Sequence, residues 1–117
     1  MSRDLKIVHI GLGPIGMGIA KMVLVKEGLK VVGACDSAAE KANKDLGDVL
    51  GLGKKLRIKV AGDPVKFIKT VKADVAVVST TSSAKVVKAT IEALINRGIN
   101  VVTTCEEFAY PVPANTK

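Results

Sequence analysis

A chain of 117 residues, 48% hydrophobic and 25% charged, is expected to fold as one soluble domain with a modest core. Two cysteines, Cys35 and Cys105, exclude a disulfide framework and point to buried free thiols in a reducing cytoplasm. The net charge of +7 does not make a nucleic-acid surface, because the lysines are scattered and only Phe67, Phe108 and Tyr110 offer stacking platforms.

In chain order, Leu5–Ile10 is an apolar run expected to form a buried strand. Pro14–Lys26 predicts a helix, with Pro14 in its first turn and Gly28 as its stop. No signal-peptide core precedes it. The longest apolar region, Ile7–Val25, is interrupted by glycines, His9 and Lys21, so no membrane span is expected. Lys30–Cys35 predicts a second strand. Ser37 is expected to cap a helix over Ala38–Leu46 that Gly47 ends. Asp48–Leu56, with Gly51 and Gly53, predicts a loop or a broken helical turn, and Arg57–Ala61 a third strand.

Asp63 and Pro64 are the N-cap and first residue of a short helix reaching Val71. Asp74–Ser79 predicts a fourth strand. Ser83–Arg97 predicts an amphipathic helix with Val86, Val87, Thr90, Ile91, Leu94 and Ile95 on one side. Asn100–Thr104 predicts a fifth strand. The strands are unbroken Val/Ile runs, as in sheets covered on both faces. Their alternation with helices predicts an α/β fold: a Rossmann-type doubly wound parallel sheet of about five strands in the order 3-2-1-4-5. After Thr104 the character changes, and Pro111 and Pro113 mark a linker. The expected organisation is a dinucleotide-binding domain over 1–110, with 111–117 opening a linker to a substrate domain.

The first strand runs into Gly11-Leu12-Gly13-Pro14-Ile15-Gly16, a G-x-G-x-x-G loop, and Asp36 follows twenty residues after Gly16 at the end of the second strand. Each glycine has a job: Gly11 for the turn, Gly13 for close approach of a pyrophosphate, Gly16 for helix-to-sheet packing. The helix N-terminus opening at Pro14 and Ile15 would present free N–H groups to the phosphates. Asp36 would accept hydrogen bonds from an adenosine ribose; its other reading is a capping residue. A carboxylate there favours NAD over NADP, and Lys41 or Lys44 tempers that preference. The net positive charge would draw such anionic cofactors in.

Ser79, Thr80 and Thr81 follow the fourth strand, where ligands lie in this fold, and Thr104 ends the fifth. Glu106 and Glu107 follow at the same edge, suited to general-base work or to holding a cationic group, or forming a plain acidic turn. No metal is expected. His9, mid-strand, is expected to be a satisfied interior histidine, and Cys105 simple packing.

The segments G-L-G-P-I-G-M-G, A-C-D, V-V-S-T-T-S-S and N-V-V-T-T-C-E-E-F-A-Y-P together resemble the N-terminal part of the 2,4-diaminopentanoate dehydrogenase family. More broadly the chain is similar to the dihydrodipicolinate reductase and amine dehydrogenase group. The resemblance implies a cytoplasmic, homo-oligomeric oxidoreductase that oxidatively deaminates an amine or diamino acid with NAD or NADP. It places Glu106 and Glu107 as the catalytic candidates. Sugar oxidoreductases with a similar C-E-K-P turn carry Lys where this chain has Glu107, and a carboxylate suits an amine better. Members of that group are much longer, so this chain is expected to bind dinucleotide without appreciable turnover. The competing readings are a dihydrodipicolinate or homoserine-type reductase domain and a free-standing nucleotide- or CoA-binding regulatory module.

Overall fold

The computed structural model describes residues 4–80 and 84–103. Its elements run β1 (Leu5–Ile10), α1 (Pro14–Leu24), β2 (Leu29–Cys35), α2 (Leu46–Val49), α3 (Pro64–Thr70), β3 (Val75–Val78), α4 (Ala84–Asn96) and β4 (Asn100–Thr103). The four strands form a parallel sheet in the order β2-β1-β3-β4. The predicted third strand lies at the outer edge of β2 but is reduced to one parallel bridge, Cys35 with Ala61. Ala61 N–H donates to Ala34 (2.9 Å) and Asp36 N–H to Ala61 (2.9 Å). The order is thus the Rossmann-like 3-2-1-4-5, with position three pinned at a point. Arg57, at the start of that segment, has φ of 61°, which ends any extended run there.

Both faces of the sheet are covered, as the unbroken apolar strands require. Ile7, Val31 and Val77 pack with Ala20 and Val23 of α1 and with Leu46, Leu50 and Val60. Val8, Ile10 and Val78 pack on the other face with Ile68 of α3 and with Val87 and Leu94 of α4. The predicted stripe on α4 is narrower than its spacing suggested. Val87 and Leu94 are buried with Ile91 packed beside them, whereas Val86 and Ile95 face outward. α3 begins as expected: the Asp63 carboxylate accepts from Val65 N–H (3.0 Å) and Lys66 N–H (3.3 Å). Its far end is closed by Arg97, whose guanidinium donates to the carbonyls of Ile68 (2.8 Å) and Val71.

The segment after β2 departs from expectation. No helix forms over Ala38–Leu46. One turn closes, Ala42 N–H to Ala38 (2.9 Å), and then Asn43 adopts φ of 67°. The groups a helix would have used are spent on the 58–60 segment: Asn43 N–H to Val60 (2.7 Å), Val60 N–H to Lys44 (2.8 Å), Leu46 N–H to Ile58 (2.7 Å). Gly47 does not end a helix but sits inside α2, where a Cβ would strike the Lys54 carbonyl. Asp45 caps α2 and gathers the loop behind it, its carboxylate accepting from Gly47 N–H (2.8 Å), Leu56 N–H (2.8 Å) and Ile58 N–H (3.1 Å).

Pairing of β1 with β2 slips between Ile7 and Val8: Ile7 faces Val31, but Val8 faces Gly33, leaving Val32 as an extra, bulged residue. Beyond the slip, Ile10 pairs with Cys35, and the Gly11 N–H donates to the Cys35 carbonyl (2.8 Å). Asp36 therefore arrives level with the glycine loop.

Candidate cofactor-binding site

The loop between β1 and α1 lies at the carboxyl end of the sheet. Gly11 turns the chain with φ of +99°, open to glycine at little cost. It also lies hard against the β3 exit: a Cβ there would come within 2.8 Å of the Ser79 carbonyl carbon and the Thr80 nitrogen. Gly16, buried in the first turn of α1, has no space either, because a Cβ would enter the Gly11 carbonyl and press on Ser79 Cβ at 3.2 Å. The glycine loop and Ser79–Thr80, far apart in sequence, thus form one surface.

Gly13 differs from both. Its φ is −71°, acceptable to any residue, and no atom of the described residues lies within 4 Å of the position a Cβ would take. Neither backbone conformation nor packing demands glycine there. As N-cap of α1 it also provides no side chain to satisfy the first-turn N–H groups, and no acidic residue stands in that turn. Pro14 is the first helical residue, and Ile15 points outward at 65% exposure. Among the described residues, the end of α1 is open, electropositive and unencumbered by side chains.

Asp36 combines the two roles its sequence position allows. One carboxylate oxygen accepts from Ala38 N–H (2.8 Å), an Asx-type turn rather than a helix cap. The other accepts from Leu12 N–H (2.7 Å), tying the end of β2 to the glycine loop. Each oxygen retains acceptor capacity beyond that bond. The Lys41 ammonium reaches the same loop, donating to the Leu12 carbonyl at 2.6 Å. Beside it, Met17, Glu40, Lys41, Lys44, Asp48 and Val49 line a cleft of about 350 Å³ between α1 and the 40–49 segment.

Two polar side chains are sealed beneath the loop. His9 is 1% exposed, and Ser79 is 8% exposed with its hydroxyl buried. Neither imidazole nitrogen, nor the Ser79 hydroxyl, has a hydrogen-bond partner among the described residues. His9 is therefore interior, as expected, but none of the described residues satisfies its ring nitrogens. Burial lowers its pKa from 6.5 to about 4, so the ring is neutral. Burial, with the charges of Asp36 and Asp63, raises Cys35 from 9.0 to about 11, an inert thiol.

The structure brings Gly11, Gly13, Pro14, Ile15, Gly16, Asp36, Ser79 and Thr80 to one sheet edge. Thr81, Thr104, Glu106 and Glu107 lie outside the described residues, as does Cys105. Sequence reasoning missed Asp45, whose signal is an Asp two residues before a Gly. It weighed Lys41 only as a charge, not as a hydrogen-bond donor to the loop. Among the described residues no helix is long and apolar enough to cross a membrane.

Comparison with known proteins adds the following. The family model for the N-terminus of dihydrodipicolinate reductase matches residues 5–107. The 2,4-diaminopentanoate dehydrogenase of Acetoanaerobium sticklandii is 29% identical over 111 residues, covering 94% of this chain and 31% of that protein. The amine dehydrogenase of Mycobacterium smegmatis aligns in three dimensions with a TM-score of 0.83 at 31% identity, over 97% of this chain and 33% of that one. The scyllo-inositol dehydrogenase of Lactobacillus casei, solved with NAD(H) and scyllo-inositol, has a TM-score of 0.67 at 20% identity, over 86% of this chain and 28% of its own; that likeness speaks for the fold. The chain spans about one third of the length of these relatives.

Proposed function

This chain belongs to the dihydrodipicolinate reductase N-terminal family, and from that premise we propose that it is the nicotinamide-dinucleotide-binding domain of an amine or diamino-acid dehydrogenase. The observation that carries the reading is Gly13. Gly11 and Gly16 are required by the protein's own packing, but among the described residues the missing Cβ at Gly13 serves no contact. It leaves a cradle at the open end of α1, which suits a pyrophosphate. Asp36 has acceptor capacity left for ribose hydroxyls, so the residues present fit the group.

A nicotinamide dinucleotide held there supplies a hydride acceptor. The work of this chain's residues is to seat its phosphates on the α1 N-terminus and orient its ribose through Asp36. Ser79, Thr80, Thr81 and Thr104 flank the nicotinamide half. Glu106 and Glu107 hold the substrate ammonium and take its proton, so that a neutral amine can release hydride. The Asp36 carboxylate favours NAD over NADP. A cytoplasmic homo-oligomer completes the reading, supported by the buried free thiol of Cys35 and by the exposed Ile15 and Met22 on α1.

Calorimetric titration of the chain and of Gly13→Ala with NAD, NADP and CoA tests this. The wild type should bind a nicotinamide dinucleotide. Gly13→Ala should keep its thermal stability yet bind roughly tenfold or more weakly, about 1.4 kcal/mol. Tight CoA binding without nicotinamide binding overturns the reading.

A further inference from the structure

We propose that Lys41 is a positioning residue for the nucleotide, locking the plane of the Leu12–Gly13 peptide. The observation is the 2.6 Å bond from the Lys41 ammonium to the Leu12 carbonyl, taken together with the bond from Leu12 N–H to Asp36 at 2.7 Å. The two peptides flanking Leu12 are thus gripped in turn, one by a carboxylate and one by an ammonium. Leu12 itself is fully buried, which fixes the side chain from which both peptides hang.

The Leu12–Gly13 peptide needs such a grip. Its downstream neighbour is a glycine with open space where a Cβ would be, so steric resistance to rotating the peptide plane is low. A trans peptide points its C=O and N–H in opposite directions. With the carbonyl held by Lys41, the Gly13 N–H faces the opposite side of the loop. A flipped peptide would present a carbonyl there instead, which repels an anion. The ammonium–carbonyl bond is charge-assisted, and it polarises the peptide so that the Gly13 N–H becomes a better donor. Lys41 acts through the backbone, not by touching a 2′-phosphate.

This proposal rests on the nicotinamide-site reading above, and the experiment separates the two. Wild type, Lys41→Met and Lys41→Arg are compared without ligand by amide hydrogen exchange, then titrated with NAD and NADP at low and high salt. In Lys41→Met, exchange at Leu12, whose N–H bonds to Asp36, should rise roughly tenfold without a change in melting temperature, and Lys41→Arg should restore it. NAD and NADP should both weaken by the same factor, roughly tenfold, and the factor should survive high salt because it is not a screened charge effect. Unchanged exchange at Leu12 overturns the lock. So does loss of NADP affinity alone, which makes Lys41 a direct phosphate contact. If the wild type binds neither dinucleotide, the site reading fails, while the exchange measurement still decides the lock.

Discussion

Two glycines two residues apart in the chain, Gly16 and Gly18 with Met17 between them, belong to one helix turn and carry opposite consequences. A Cβ at Gly16 has the Gly11 carbonyl in its way, whereas a Cβ at Gly18 meets nothing within 4 Å. Gly16→Ala must push α1 off the loop and should cost about 1–3 kcal/mol, with a matching fall in dinucleotide affinity. Gly18→Ala should stabilise by about 0.5–1 kcal/mol through helix propensity, with affinity unchanged. Urea unfolding and calorimetry on the pair check both. Equal effects of the two substitutions would mean that the tight helix-to-sheet approach at Gly16 is not what positions the loop.

Among the elements, β1, β2, α1, α3, β3, α4 and β4 fall within a few residues of their sequence limits, because each is announced by a local signal. Val/Ile runs mark the strands, Pro14 and the Asp63-Pro64 pair mark helix starts, and Gly28 and Gly98 mark stops with φ of +87° and +77°. The glycine loop and Asp36 were legible for the same reason. The 38–47 segment was not, because its structure is set by partners remote in sequence. Asn43, Lys44 and Leu46 bond to residues 58–60, and Asp45 to residues 47–58. A helical composition there loses to that pairing. Asp45 is the organising group, and backbone amides, Leu56's above all, hold its carboxyl below the ordinary carboxylate range. Asp45→Ala should therefore lower the melting temperature and speed exchange at Gly47, Leu56 and Ile58, with Asp45→Asn intermediate. Unaltered exchange at those three amides would remove Asp45 from that role.

For the molecule as a whole, these ionisations set the pH range of stability. His9 has a folded pKa of about 4 against 6.5 for the ordinary group, so the unfolded chain binds the extra proton first as pH falls. Its contribution is fully present above pH 6.5 and is lost on descending toward pH 4, about 3 kcal/mol in all. Asp45, with its lowered pKa, adds loss in the same direction at lower pH. Cys35 works the other way: raised from 9.0 to about 11, it favours the fold below pH 9 and withdraws that contribution as pH rises between those values. Stability should be flat between about pH 7 and pH 9 and fall on both sides, and His9→Leu should flatten the acid limb. Denaturant titrations from pH 4 to pH 10 measure the profile, and an acid limb unchanged in His9→Leu would assign it to carboxylates alone.

The bulge at Val32 bears on how such domains are found in sequence collections. It absorbs one residue between the glycine triplet and the acidic residue, without displacing Asp36 from the Leu12 amide. A homologue lacking the bulge would place its carboxylate at the same amide with one fewer intervening residue. The count between Gly16 and Asp36 is therefore an accident of strand irregularity rather than a requirement of the site. A search pattern that insists on a fixed interval will discard true members, whereas one that lets the interval vary by a residue, and anchors instead on the strand ends, will keep them.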